Sequence, residues 1–335
     1  MALTRRTVLG ALALVPLAGC AAQPAATTPA ASATSAGTTA AAKTYKIGIV
    51  QIVTHPSLDA VRTNFVEELK KQGVTAEVDY KNPEGDQSTL NTIAQGFAAD
   101  KKDLVLAIAT PSALAVAQAI SDKPILFAAV TDPVGAKLVA SLDAPGKNVT
   151  GTSDMNPIDK QIALVKQLVP NAKTIGMVYS SAEQNSLVQL ELAKTEGAKV
   201  GLTVVGAAIT NSSEVQQGAQ SLVGKIDAFF IGTDNTVVSG LEGLISVAQT
   251  AKLPIITADG DSVKRGAVAS WAVDYGKMGV QTAQMAAKIL AGAAQPATMP
   301  VGFQDDPVLT INTAAAAKIG LTIPDAVKAA ADVTL

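Results

Sequence analysis

One cysteine, one histidine and an aromatic content of only 3% leave little material for several kinds of chemistry. A lone thiol forms no internal disulfide, and one thiol with one imidazole falls short of the usual zinc ligand sets. The chain contains no Gly-x-Ser-x-Gly elbow, no Walker A loop, no Gly-x-Gly-x-x-Gly fingerprint and no His-Glu-x-x-His pair. An enzyme reading therefore reduces to a secreted hydrolase with His55 as base, or to carboxylates such as Asp259 and Asp261. Neighbours in sequence need not form a pair in space. Excess charge is missing as well: the net value is −2, with lysines and arginines scattered among acids. No basic stripe offers itself to a nucleic acid. No cofactor and no metal are expected.

Long apolar runs are also scarce, and the one at the N-terminus is short. Residues 1–19 join a basic "MALTRR" to "TVLGALALVPLAG", too short to span a bilayer comfortably, and read as an export signal. Arg5 and Arg6 within "TRRTVL" resemble the Tat signature, with the general secretory route as the alternative. Cys20 closes "LAGC", which resembles the lipobox of bacterial lipoproteins, where this cysteine becomes lipidated and starts the mature chain. Acyl chains contribute roughly 0.8 kcal/mol per buried methylene, so lipidation holds a protein at a membrane without a spanning helix. Residues 20–44 are thus expected to be the lipidated cysteine and a disordered tether, because "AAQPAATTPAASATSAGTTAAAK" has no periodic apolar face. The expected location is the extracytoplasmic face of the cell membrane.

From Tyr45 the composition changes, and short β-branched runs alternate with amphipathic helical stretches. "YKIGIVQIV" predicts a strand. Pro56 suits a helix start, and Leu58, Val61, Phe65 and Leu69 then fall on one helical face. Further strands are predicted at "TAEVDY", "LVLAIA", "PILFAAV", "TIGMVY", "TVVGAAI", "AFFIG", "PIIT" and "AVASWAV". Turn-forming residues between "APGKNVTG" and "TSDMNP" interrupt the rhythm, after which a similar series begins. "LVLAIATPSALAVAQAISDKPILFAAVTDPV" can be laid over "DAFFIGTDNTVVSGLEGLISVAQTAKLPIITADGDSV", so that Ser112 meets Asn235 and Thr131 meets Asp261. The fold class is α/β with parallel sheets, and the two series read as similar halves, or as the general likeness of all α/β units.

In open parallel sheets, ligands sit beyond the carboxyl ends of strands, where helix N-termini present unpaired N–H groups. This chain fills those places with small polar groups: Gln51, Thr110, Ser112, Thr131, Asn185, Thr233, Asp234, Asn235, Asp259 and Asp261. Thr110, Ser112 and Thr131, with neighbouring amides, suit a carboxylate; Asp234 or Asp261 suits an ammonium. Together the two ends describe an α-amino acid. Each residue taken alone reads equally well as an N-cap or Asx-turn. His55, beside a helix-starting proline, is expected at the rim of the cleft instead of at the ligand.

A family likeness is carried by "IGIVQIVTHPSLD", "GDQSTLNTIAQGF", "LAIATPSA", "AAVTDPVGAKLV", "NVTGTSD", "NAKTIGMVYSSAEQNS", "TNSSEVQQGAQSLVGKIDAFFIGTDNTV" and "DSVKRGAVASWAVDYGKMG". In order and content these blocks resemble the ABC-transporter substrate-binding lipoproteins linked to tryptophan, tyrosine and phenylalanine uptake. The resemblance runs from Tyr45 to Pro324. It implies a type I periplasmic-binding-protein fold, two lobes joined by three crossovers and closing over a ligand. Lobe 1 would comprise 45–150 plus 273–298, and lobe 2 would comprise 151–272 plus 299–335. It implies an amino acid ligand, delivery to an ABC permease and ATPase, and a monomeric protein. Carried onto this chain, the cleft blocks fall at Gln51, Thr110, Ser112, Thr131, Asp154, Asn185, Asp234, Asn235 and Asp261. Trp271, where the family pattern favours tyrosine, and Tyr275 are the rings nearest to hand for packing an aromatic ligand. A surface sensor, an adhesin, or a receptor for another small polar solute would share the same fold.

Overall fold

The computed structural model of the protein describes residues 43–335. The expected signal (1–19), lipidation site (Cys20) and almost all of the tether therefore lie outside the described residues. Among the described residues no helix is long and apolar enough to cross a membrane.

The first series runs β1 (Thr44–Gln51), α1 (Pro56–Lys71), β2 (Thr75–Lys81), α2 (Gln87–Ala99), β3 (Leu104–Ile108), α3 (Thr110–Ala119), β4 (Ile125–Ala128) and β5 (Val149–Thr152). Its five strands pair in parallel in the order β2-β1-β3-β4-β5. β3 sits in the middle with helices on both faces, which is why all of "LVLAI" is apolar and buried. β2 lies at the edge, and its polar residues face solvent. α1 behaves as its periodicity predicts: Pro56 opens it, and Leu58, Val61, Phe65 and Leu69 are buried.

The second series runs α4 (Ile158–Leu168), β6 (Thr174–Ser180), α5 (Gln184–Lys199), β7 (Thr203–Ile209), α6 (Val215–Leu222), β8 (Ala228–Ile231), α7 (Asn235–Ser239), α8 (Leu241–Ala251), β9 (Ile255–Thr257), α9 (Gly260–Arg265) and β10 (Ala269–Ala272). The chain then adds α10 (Tyr275–Leu290), β11 (Val308–Ile311) and β12 (Val333–Thr334). The second sheet has seven strands in the order β12-β11-β10-β9-β8-β6-β7. It is parallel except between β10 and β11, which run antiparallel. β11 comes straight back from the first lobe without a crossover helix, and so arrives in the opposite sense.

Three apolar clusters follow from this layering. One fills the first lobe and takes in Met278, Ala283, Ala286 and Ile289 of α10. The other two lie on opposite faces of the second sheet, one under α4 and α5 and one under α6 and α8. The chain passes between the lobes after β5, after β10 and between residues 302 and 308. Val301, placed with the second lobe by the resemblance, packs in the first core, and its amide donates to the Leu142 carbonyl. The passages brace one another. Asn156 accepts from the Val273 amide at 2.9 Å, and Gln304 donates to the Asp274 carbonyl at 2.8 Å.

Candidate functional site

The ends of both sheets meet in one place. A small cavity there is lined by residues that follow β1 (His55, Ser57), β4 (Thr131), β5 (Asp154), β8 (Thr233, Asp234, Asn235) and β9 (Asp259). Its volume is about 10 Å³, close to the least that holds one water. The cleft is shut by contacts between the lobes. Ser57 donates to Asp259 and, as an alternative, to Asp261, each at 3.1 Å. Thr131 and Thr233 meet hydroxyl to hydroxyl at 3.0 Å, and His55 Nε2 approaches Asn235 Oδ1 at 3.5 Å.

Asp154 is a buried carboxylate in the wall of the cavity. Thr131 Oγ1 and Tyr275 Oη each donate to it at 2.9 Å, one to each carboxylate oxygen. With its proton given to Asp154, Thr131 must accept from Thr233. Burial pushes Asp154 above the ordinary carboxylate range, against the pull of those two hydroxyls. Asp234 caps α7, accepting from the Val237 amide at 2.9 Å and from Ser180 N at 2.6 Å. Burial, followed by the charge of Glu183, raises it to about 7. Glu183 is itself saturated, taking Thr236 N, Thr236 Oγ1 and the Asn185 and Asn235 amides. Asp259 caps α9 and accepts from Ser262 N and Ser262 Oγ.

Three carboxylates thus line the cavity, and among the described residues no lysine or arginine lines it. Its one basic group, His55, is held below its usual range by burial. Such a site favours a cation, because a positive group would neutralise carboxylates that burial otherwise destabilises.

Of the residues expected from sequence, Thr131, Asp154, Asn185, Asp234 and Asn235 line this cavity together. Thr110 and Ser112 do not line it; they are buried at the start of α3, with hydroxyls that have no protein partner. Gln51 does not line it: its amide is bound by Val53, Asp59 and Arg62 within the first lobe. Asp261 is set apart too, paired with Lys264 at 2.7 Å and lining a separate cavity beside the crossovers. His55, expected at the rim, is buried and lines the site. Trp271 does not; Lys160 lies over its ring at 5.0 Å. Ser57, Thr233, Asp259 and Tyr275 join the lining beyond the residues drawn from the resemblance. Thr233 and Asp259 carried a legible signal, a polar residue immediately beyond a strand, whereas Ser57 looks like any serine at a helix start.

Residues 46–335 match the family model for ABC transporter substrate binding proteins. The chain belongs to that family. It is 43% identical, over 274 residues, to a tyrosine-binding protein of Clostridioides difficile (strain R20291), covering 81% of this chain and 79% of that one. It is similar in structure to an ABC domain in complex with L-Trp from Streptococcus pneumonia, with a TM-score of 0.85, 40% identity, and coverage of 88% of this chain and 100% of that one. It is also similar to the ligand-free, open structure of a substrate binding protein with adhesive properties from Clostridium difficile. There the TM-score is 0.65 at 43% identity, covering 86% and 98% of the two chains. Identity is alike in the two structural comparisons, while the fit to the open, ligand-free structure is lower. The fold is that of a type I periplasmic binding protein, and the chain is a binding protein instead of an enzyme.

Proposed function

We propose that this substrate-binding protein captures an aromatic amino acid between its lobes and delivers it to an ABC permease and its ATPase. In this reading it works as a monomer, exported by the signal at residues 1–19 and anchored through Cys20 on the extracytoplasmic face of the cell membrane. Residues 20–44 let the lobes reach the permease. The observation that carries the reading is Asp154, a buried carboxylate oriented by Thr131 and Tyr275 in a cavity that, among the described residues, no lysine or arginine lines. We assign the ligand's ammonium to Asp154, with Asp234 and Asp259 adding to the field. The assignment moves away from Asp261, whose charge is already met by Lys264. The α-carboxylate falls to Thr110, Ser112 and the free amides of the first turn of α3, where two buried hydroxyls lack partners. Tyrosine and tryptophan, the ligands of the two relatives, fit this pair of ends.

Titration calorimetry of the mature domain with L-tyrosine, L-tryptophan and L-phenylalanine tests the reading. Asp154→Asn is expected to weaken every one of them by at least about tenfold, since a charge-assisted hydrogen bond contributes about 1.5–3 kcal/mol. The ligand-free melting temperature should hold or rise, because a buried charge is removed. Wild-type affinity in the variant would sink the ammonium assignment. Adhesion is a second reading, favoured by the Clostridium difficile relative alone. It uses the outer surface, so cleft variants would leave it unchanged.

A further inference from the structure

Two larger cavities flank the small one. The first, about 440 Å³, runs along the rim, with Ile52, Val53 and Pro111 on the first lobe facing Ala182, Glu183 and Ser180 on the second. The second, about 270 Å³, lies beside the crossovers, between Ala60, Gly276, Asp261 and Lys264. Asn235 lines both the small and the rim cavity, and Tyr275 lines both the small and the crossover cavity. An amino acid whose ammonium sits at Asp154 has no room for an aromatic side chain in about 10 Å³, so the ring must enter one of the two neighbours.

The partitions differ in strength. Towards the crossovers Ser57 donates to Asp259 or Asp261, each at 3.1 Å, and Tyr275 is tied to Asp154. Beyond that wall the Asp261–Lys264 ion pair borders the space. Towards the rim the lobes meet where His55 approaches Asn235 at 3.5 Å, Asn235 being held by Glu183 of its own lobe, and behind them lie the apolar surfaces of Ile52, Val53, Pro111 and Ala182. Parting the rim side breaks less and offers an aromatic ring a better surface. A second observation points the same way. Ser180 is among the residues that line the rim cavity, and its hydroxyl is fully buried and has no partner. A buried hydroxyl left unpaired costs stability, and a ligand able to bond it recovers that cost.

We infer that the rim cavity is the compartment for the ligand's ring and that Ser180 bonds a polar group on that ring. The site would thereby select rings bearing O–H or N–H, as in tyrosine and tryptophan, over the bare ring of phenylalanine. The inference rests on the proposed aromatic amino acid ligand, which it makes more specific.

Two measurements test it. Photolabelling with 4-azido-L-phenylalanine, blocked by excess tyrosine, should place adducts within residues 180–183, 210–212 or 235–239. Adducts confined to residues 260–276 or 308–310 would assign the ring to the crossover cavity and overturn the inference while leaving the ligand class intact. Ser180→Ala should lower the ratio of tyrosine to phenylalanine affinity by between about twofold and tenfold, the range of one net hydrogen bond. An unchanged ratio would overturn the role of Ser180. No saturable labelling, together with no thermal shift from any aromatic amino acid, would remove the underlying ligand reading as well. The photolabel needs no mutation, so a poorly folding variant does not block the test.

Discussion

Asp234 sets a helix cap against burial. Its carboxylate receives two backbone amides, which favour the charged form, yet burial and the nearby Glu183 outweigh them and leave it near 7. The unfolded chain has the ordinary value of 3.8, so between about pH 4 and 7 the ligand-free fold holds a proton that the unfolded chain has released. Stability from this group is present in acid and falls as pH rises through 7. Asp154 is raised by burial and works in the same direction. His55 works in the opposite one: lowered from 6.5, it stays neutral in the fold while the unfolded chain takes up a proton below that value. The window between pH 6.5 and 7.5 therefore belongs mainly to the carboxylates. Ligand-free protein is expected to lose melting temperature across that window and to level off above pH 8. Asp234→Asn, which retains a capping oxygen, should flatten the decline. An equal slope in both proteins, followed by differential scanning fluorimetry, would remove Asp234 from the linkage.

Among the elements, α1 and α10 show what close approach demands of sequence. The two helices lie against each other in the first lobe, and a Cβ on Gly279 would collide with the Val61 carbonyl of α1. Backbone cannot swing aside as a side chain can, so Gly279→Ala must push the helices apart. Although alanine favours helix by about 1 kcal/mol, the variant is expected to be destabilised by about 1–3 kcal/mol in urea unfolding. A gain in stability would show that the interface gives way freely. That contact could not be read beforehand, because "YGKMGVQTAQ" gives no hint of which surface its glycine meets. The strands from β1 to β4 and from β6 to β10 were legible, most as apolar runs between turn residues and β2 as an alternating edge strand. β5 was not: "VTGT" is short, polar and carries a glycine, and reads as part of a turn. It is a strand because it completes the first sheet beside β4, where Gly151 packs against the Phe127 backbone. The site was legible as a set of strand ends but not as a set of partners. The three-residue spacing of Asp261 and Lys264 allows their pairing on a helix, but nothing in the order of residues shows that Tyr275 reaches across to Asp154.

For the whole molecule, closure is an equilibrium between lobes, and ligand affinity includes the free energy of bringing them together. The bonds from Ser57 to Asp259 and Asp261 belong to the closed arrangement, because α1 sits in the first lobe and both acceptors in the second. Removing the hydroxyl should favour the open form by about 1 kcal/mol, one net hydrogen bond. Ser57→Ala is then expected to raise the ligand concentration needed for half-maximal closure about fivefold. Saturating ligand should still bring the variant to the wild-type radius of gyration, measured by small-angle scattering during a titration with tyrosine. Identical midpoints would show that Ser57 does not hold the lobes together. A variant that never reaches the wild-type radius would show that Ser57 shapes the closed form itself. The expected pattern, a shifted midpoint with the same end point, separates a clasp from a wall. It would also explain why the contacts named at this cleft come from side chains: individually weak bonds can part again without breaking a backbone ladder.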